Sequence, residues 1–123
     1  MLVNTCFGTR DLEKAGKFYD AVLGAAGQAR TGQSDRSIYY GSQGQGAGFA
    51  VTLPYNGEPA TNGNGTMATM GVADRATVDA MHAAALANGG SCEGPPGVRD
   101  NGFYVAYWRD PDGNKMNAVA MGG

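Results

Sequence analysis

The chain has 123 residues, enough for one domain with an ordinary core, and its 42% hydrophobic content is that of a globular protein. Nine basic against eleven acidic residues give a formal net charge of −2, with no basic stripe to neutralise phosphates, so nucleic-acid binding is not expected. No apolar run is long enough to cross a bilayer, and residues 1–7 lack the basic start and long apolar core of a secretion signal, so the expected setting is the cytoplasm, with no membrane partner.

The first element is a predicted strand over 2–9. Asp11, or Thr9 before it, is a candidate helix cap. Leu12, Ala15, Phe18, Tyr19, Val22 and Leu23 then recur at the three- and four-residue spacing of an amphipathic helix, stopped by Gly24 and Gly27. Residues 29–35 are polar and fit only a weak edge strand. A short strand over 37–40, a turn over 41–48 and a strand over 49–53 follow. Residues 54–65, rich in Pro, Asn and Gly, read as a linker.

After the linker the pattern starts again. Residues 66–73 resemble a strand, and 74–87 a helix with Val78, Met81, Ala85 and Leu86 on one face, ended by Gly89 and Gly90. An aromatic, β-branched run over 103–108 meets the turn signal Asp110-Pro111-Asp112-Gly113-Asn114, and a second apolar run covers 116–119. Pro111 presets φ near −65°, while Asp112, Gly113 and Asn114 tolerate turn geometry, so the segment predicts a β-hairpin. Sliding the chain by 63 residues places Asp11 on Asp74, Gly8 on Gly71, Phe18 on Met81, Leu23 on Leu86 and Gly27 on Gly90. Each half therefore runs strand, helix, then several strands, and neither half has apolar surface for a core of its own.

This duplicated order, with Asp11-Leu12, Phe18-Tyr19, Leu23-Gly24, Asp74-Arg75, Ala85-Leu86 and the hairpin turn over 110–114, resembles the vicinal oxygen chelate superfamily: glyoxalases, extradiol dioxygenases and bleomycin-resistance proteins. The resemblance spans essentially the whole chain. It implies an α+β fold of two tandem βαβββ modules, about 1–57 and about 64–123 of a single domain, whose curved mixed sheets enclose a cleft, often completed by a second copy. A homodimer is the expected assembly.

In metal-dependent members of that superfamily, four ligands line the cleft: a His, a carboxylate, a second His and a Glu. Carried over by position, they fall on Asn4, on Ala50 (with Thr52 as the alternative), on Met67 and on Asn117. A thioether and a methyl group cannot replace a His and a carboxylate for a hard or borderline cation. No metal and no other cofactor is therefore expected, and no residue is assigned a catalytic role.

Strand alternation extends the set. If the Asn4 face is the cleft face, Cys6 shares it, with Ala50 and Thr52 from the fourth strand, Met67 and Thr69 from the fifth and Asn117 from the eighth. Asn4 and Asn117 could bond a ligand or each other. The aromatics come in consecutive pairs, so one of each pair must face away. Alternation does not say which members face the cleft; Tyr104 and Trp108 are the candidates for stacking on a planar ligand there.

Cys6 and Cys92 read as reduced, buried thiols, and His82 as a partly exposed mid-helix residue. The glycine-rich run over 44–48 precedes a strand, not the helix that a phosphate loop needs. These observations lead to a protein that holds a small organic ligand in its cleft without a metal. A glyoxalase-like lyase or isomerase, and a non-catalytic relic or interaction subunit, remain as alternatives.

Overall fold

The computed structural model describes residues 1–41 and 47–122. In chain order the elements are β1 (Asn4–Gly8), α1 (Leu12–Gly24), β2 (Arg30–Gln33), β3 (Ser37–Tyr40), β4 (Gly48–Thr52), β5 (Met67–Val72), α2 (Arg75–Ala87), β6 (Ser91–Val98), β7 (Tyr104–Arg109) and β8 (Lys115–Ala120). They form two four-stranded sheets, ordered β1-β4-β3-β2 and β5-β8-β7-β6. In each, the strand before the helix pairs in parallel with the last strand of its module, and the other pairings are antiparallel. This is the expected pair of βαβββ modules, with sheets that are curved but not closed. The turn predicted over 41–48 and most of the glycine-rich run lie outside the described residues.

Both helices start for the reason the sequence gives. Asp11 caps α1 by accepting from the Lys14 N–H, and Asp74 caps α2 by accepting from the Thr77 N–H at 2.9 Å. Each helix is followed by a glycine in the left-handed region, Gly27 at φ +79 and Gly89 at φ +94. The Gly90 N–H donates to the Ala85 carbonyl at 2.8 Å, and a Cβ there would lie 2.6 Å from the Arg109 carbonyl oxygen, a place only glycine can occupy. The apolar face of α2 buries Val78, Met81, His82 and Ala85, whereas Leu86 is 43% exposed, so it does not share that face as expected.

One core serves both modules. Phe7, Phe18, Tyr19, Val22, Ile38, Tyr40, Phe49 and Val51 from the first are continuous with Val78, Met81, Ala106, Trp108, Met116 and Ala118 from the second. The two helices pack against each other within it.

The β7–β8 turn fastens the modules. Asp112 accepts from Thr9 Oγ1 and from the Arg10 N–H, Asn114 Nδ2 donates to the Gly8 carbonyl at 2.9 Å, and the Tyr19 hydroxyl donates to Asp110 at 2.6 Å. Within the turn, Asp110 also accepts from the backbone N–H groups of Asp112 and Asn114, and Gly113 sits at φ +89. Burial pushes the Asp110 carboxyl above its usual range against the pull of these donors. The turn is thus the joint between modules as well as a hairpin.

One strand meets the sequence expectation and one departs from it. β2, the weak candidate, is an edge strand exposed at every position. β6 carries no strand signal in the sequence, because Pro95, Pro96, Gly94 and Gly97 fall within its eight residues. Its pairing with β7 slips twice to absorb them, as an edge position allows.

Candidate functional site

Strand register decides which side chains share the sheet faces turned away from the helices. In the first sheet Cys6 is level with Ala50 and Tyr39, Asn4 with Gly48, and Gly8 with Thr52 and Ser37. In the second, Met67 is level with Lys115 and Arg109, and Thr69 with Asn117 and Tyr107. Asn4, Cys6, Ala50, Thr52, Met67, Thr69 and Asn117 therefore all stand on the faces opposite the helix-packed core. Thr52 is tied back by a hydroxyl pair with Ser37 at 2.6 Å, which leaves it less free than the others.

Tyr104 and Trp108 do not belong with them. Both alternate onto the helix side of β7. Trp108 is fully buried in the core, and Tyr104 donates to Asp79 on α2 at 2.6 Å, with the Arg75 guanidinium over its ring. Truncating a buried Trp to Ala costs about 3–5 kcal/mol, so core packing accounts for this residue without a ligand. The aromatic on the cleft face is Tyr107. Its signal was present in the hairpin: pairing centred on Asp112 sets Arg109 against Lys115 and therefore Tyr107 against Asn117. In the first sheet the same logic selects Tyr39, which is half-exposed, over Tyr40, whose hydroxyl donates to Asp20 at 2.8 Å.

Asn117 is the central polar group of the second face. It is 4% exposed, and its Oδ1 has no hydrogen-bond partner, so the Asn4–Asn117 bond considered from sequence is not made. An unmatched buried amide oxygen typically costs about 1–3 kcal/mol. Around it, Lys115 Nζ lies 5.4 Å and the Arg99 guanidinium 5.6 Å from the Tyr107 ring centre. Arg99 is held by the carbonyls of Pro95 and Gly97, and Arg109 is paired with Glu93 at 3.0 Å. Among the described residues neither Arg99 nor Lys115 forms a salt bridge with a carboxylate.

The residues onto which the resemblance carries the superfamily's four ligands do not suit a divalent cation. Asn4 and Asn117 offer neutral amides, Met67 a thioether and Ala50 nothing, and Thr52 is engaged with Ser37. Among the described residues no group of three or more His, Cys, Asp or Glu side chains is placed to hold a metal ion.

The fold and its hairpin can be set beside known proteins. Residues 2–117 match the family described as the Glyoxalase/Bleomycin resistance protein/Dioxygenase superfamily. The chain belongs to that superfamily. Among solved members, a glyoxalase/bleomycin resistance protein from Albidiferax ferrireducens T118 is similar at 43% identity over 98% of each chain, with a TM-score of 0.90. A glyoxalase-related enzyme from Fulvimarina pelagi shares the fold at 22% identity and a TM-score of 0.78, covering 98% of this chain and 87% of that one. The lactoylglutathione lyase of Agrobacterium tumefaciens does so at 20% identity and a TM-score of 0.69, covering 99% and 94%. No curated protein sequence matches the chain. Superfamily membership accounts for the architecture; the chemistry must come from the side chains.

Two sequence expectations at other positions are corrected. Cys6 and Cys92 are free but exposed rather than buried. His82 is buried rather than partly exposed, and its Nε2 lies 3.2 Å from Cys92 Sγ. Among the described residues no helix is long and apolar enough to cross a membrane.

Proposed function

We propose that this protein binds a small organic ligand, without a metal, in a cleft formed between the outward sheet faces of two copies of the chain. The carrying observation is Asn117: a buried amide with an unmatched oxygen, at the superfamily's last ligand position. It is ringed by Thr69, Tyr107 and Lys115. A ligand donor, or a flip of the amide, would supply the missing partner. Tyr107 offers a ring face, and Lys115 and Arg99, free of carboxylate partners, favour a ligand with an anionic end. The net charge of −2 gives no reason to expect a strongly cationic one.

A second copy is proposed because β1 and β5 are edge strands with one side unpaired. Leu2, Val3, Asn4, Thr5 and Cys6 are all exposed along the first of these edges. Pairing β1 of one copy with β5 of the other would bring Asn4 and Cys6 toward Met67, Thr69 and Asn117. A cytoplasmic setting would keep its two exposed thiols reduced.

The test is thermal-shift screening of organic acids in the presence of EDTA, with light scattering to give the mass in solution. A stabilising ligand whose effect Lys115→Met weakens about tenfold, on a dimer, is the expected outcome. Stoichiometric tightly bound metal in the purified protein, or binding abolished by EDTA, would overturn the metal-free reading. A monomer at micromolar concentration would overturn the two-copy cleft.

A further inference from the structure

On the opposite side of the second sheet, α2 and β6 bring together the chain's single histidine and one of its two cysteines. His82 Nε2 and Cys92 Sγ are 3.2 Å apart. The imidazole is 8% exposed and rests edge-on against Trp108, with ring centres 6.5 Å apart, while Cys92 is open to solvent. This is the arrangement of an activated nucleophile: a sulfur that a reagent can reach, a base within hydrogen-bond distance, and a buried aromatic ring that fixes the base. Cys6 is also exposed, but with no second histidine in the chain it has no imidazole.

We propose that Cys92, with His82 as its base, is a thiol-modification site of this protein, and that its reactants are low-molecular-weight disulfides. With the ring proton on Nδ1, Nε2 accepts the proton of the Cys92 thiol. The Sγ electron pair then attacks one sulfur of the disulfide RS–SR. The Sγ–S bond forms as the S–S bond breaks. The leaving RS⁻ departs with the bonding pair and takes the proton from the imidazolium, so that Cys92-SH and RSSR become Cys92-S–SR and RSH. The disulfide is the oxidant, and no other reagent is needed.

The surroundings suit a neutral base. Burial lowers the His82 pKa, opposed by the charge of Asp79 one turn earlier on α2. That carboxylate is also held by the Tyr104 hydroxyl from β7. Glu93 and Arg109 pair with each other at 3.0 Å, Arg109 standing on the other face of the sheet. From α1, the buried face brings one titratable group, the Tyr19 phenol, which its burial and Asp110 keep protonated. From β8 the helix-side residues Met116 and Ala118 carry no charge.

The two cysteines provide an internal control. The full chain is treated at pH 7 with an aromatic disulfide that releases a coloured thiolate, and the modified residue is located by mass spectrometry. Because Cys6 lies in the proposed two-copy cleft, the comparison is made at Cys92 itself: His82→Gln is expected to slow Cys92 about tenfold while leaving Cys6 unchanged. Should that variant not fold, the Cys6→Ser protein decides by its pH–rate profile. A Cys–His pair gives a shoulder between pH 6 and 8, where a lone thiol climbs about tenfold per pH unit toward its pKa near 8.5. An unchanged Cys92 rate in His82→Gln, or a profile without the shoulder, would overturn the proposal.

Discussion

Tyr19 and His82 stand 63 residues apart, at the same place on the internal repeat and at the same depth into α1 and α2. Each is buried, and each directs its polar atom at a group outside its own helix. The Tyr19 hydroxyl crosses between modules to Asp110 in the β7–β8 turn, whereas His82 stays within its module and meets Cys92 on β6. The flanking residues diverge too: Leu23 is buried and its repeat partner Leu86 is half-exposed. A duplicated scaffold has thus kept its backbone plan while one copy of a slot became a structural joint and the other a polar pair at the surface. The capping and stopping chemistry recurs in both halves, with Asp11 matching Asp74 at the caps and Gly27 matching Gly89 at positive φ just past each helix.

The sharpest way to break this asymmetry is at the joint. Asp110→Ala removes the acceptor for Tyr19, for the Asn114 side chain and for two turn N–H groups at once. Urea denaturation should show a loss of about 3 kcal/mol; a loss under ~0.5 kcal/mol would mean that the turn does not hold the modules together.

A smaller effect separates the two slots. Tyr19→Phe leaves a buried carboxylate short of one donor and should cost about 1.5 kcal/mol. It should also change the alkaline limb of stability. The Tyr19 phenol is held well above its usual pKa, by burial first and then by Asp110. Its contribution is therefore whole below pH 10, where unfolded tyrosine begins to ionise, and is lost as pH rises further. Denaturation at pH 9 and pH 11 should show a steeper fall in the wild type than in Tyr19→Phe, with the remaining slope owed in part to Tyr40, whose pKa is also raised. An identical slope in both proteins would rule out the phenol as the source.

The smallest effect tests what the halves still share. Asp11→Ala and Asp74→Ala each remove one helix cap. Melting curves should fall by a few degrees, and by similar amounts. A large difference between the two variants would show that the repeat is equivalent in sequence only.

These contrasts also mark what could be read from the chain in advance. The helices were legible because caps, spacing and glycine stops act locally. The terminal hairpin was legible because Pro111 and Gly113 leave the backbone few choices. β6 was hidden by its prolines, since a strand that contains them depends on lying at an edge with irregular pairing, and that is decided by its neighbour. Asn4, Met67 and Asn117 were brought together by the resemblance, whose ligand positions fall on them, and alternation along each strand extended that set. Tyr104 and Trp108 were misplaced because consecutive aromatics carry no mark of which one faces inward; only the register across the turn tells them apart. The proximity of His82 to Cys92 depends on how α2 lies over β6, a matter of tertiary packing that no spacing in the chain records.

The prolines of β6 have one more effect. Each sheet has two borders, and strand-by-strand growth can begin at any border that offers free amide hydrogens. At one border of the second sheet, Pro95 and Pro96 have none to give, and the slipped register bends the line on which a newcomer would have to lie. At the corresponding border of the first sheet, β2 is short and irregular, and Arg30 is engaged with Asp20. The borders left straight are β1 and β5. Two copies joined β1 to β5 about a two-fold axis would use both straight borders at once and leave none to carry the sheet onward into a fibre.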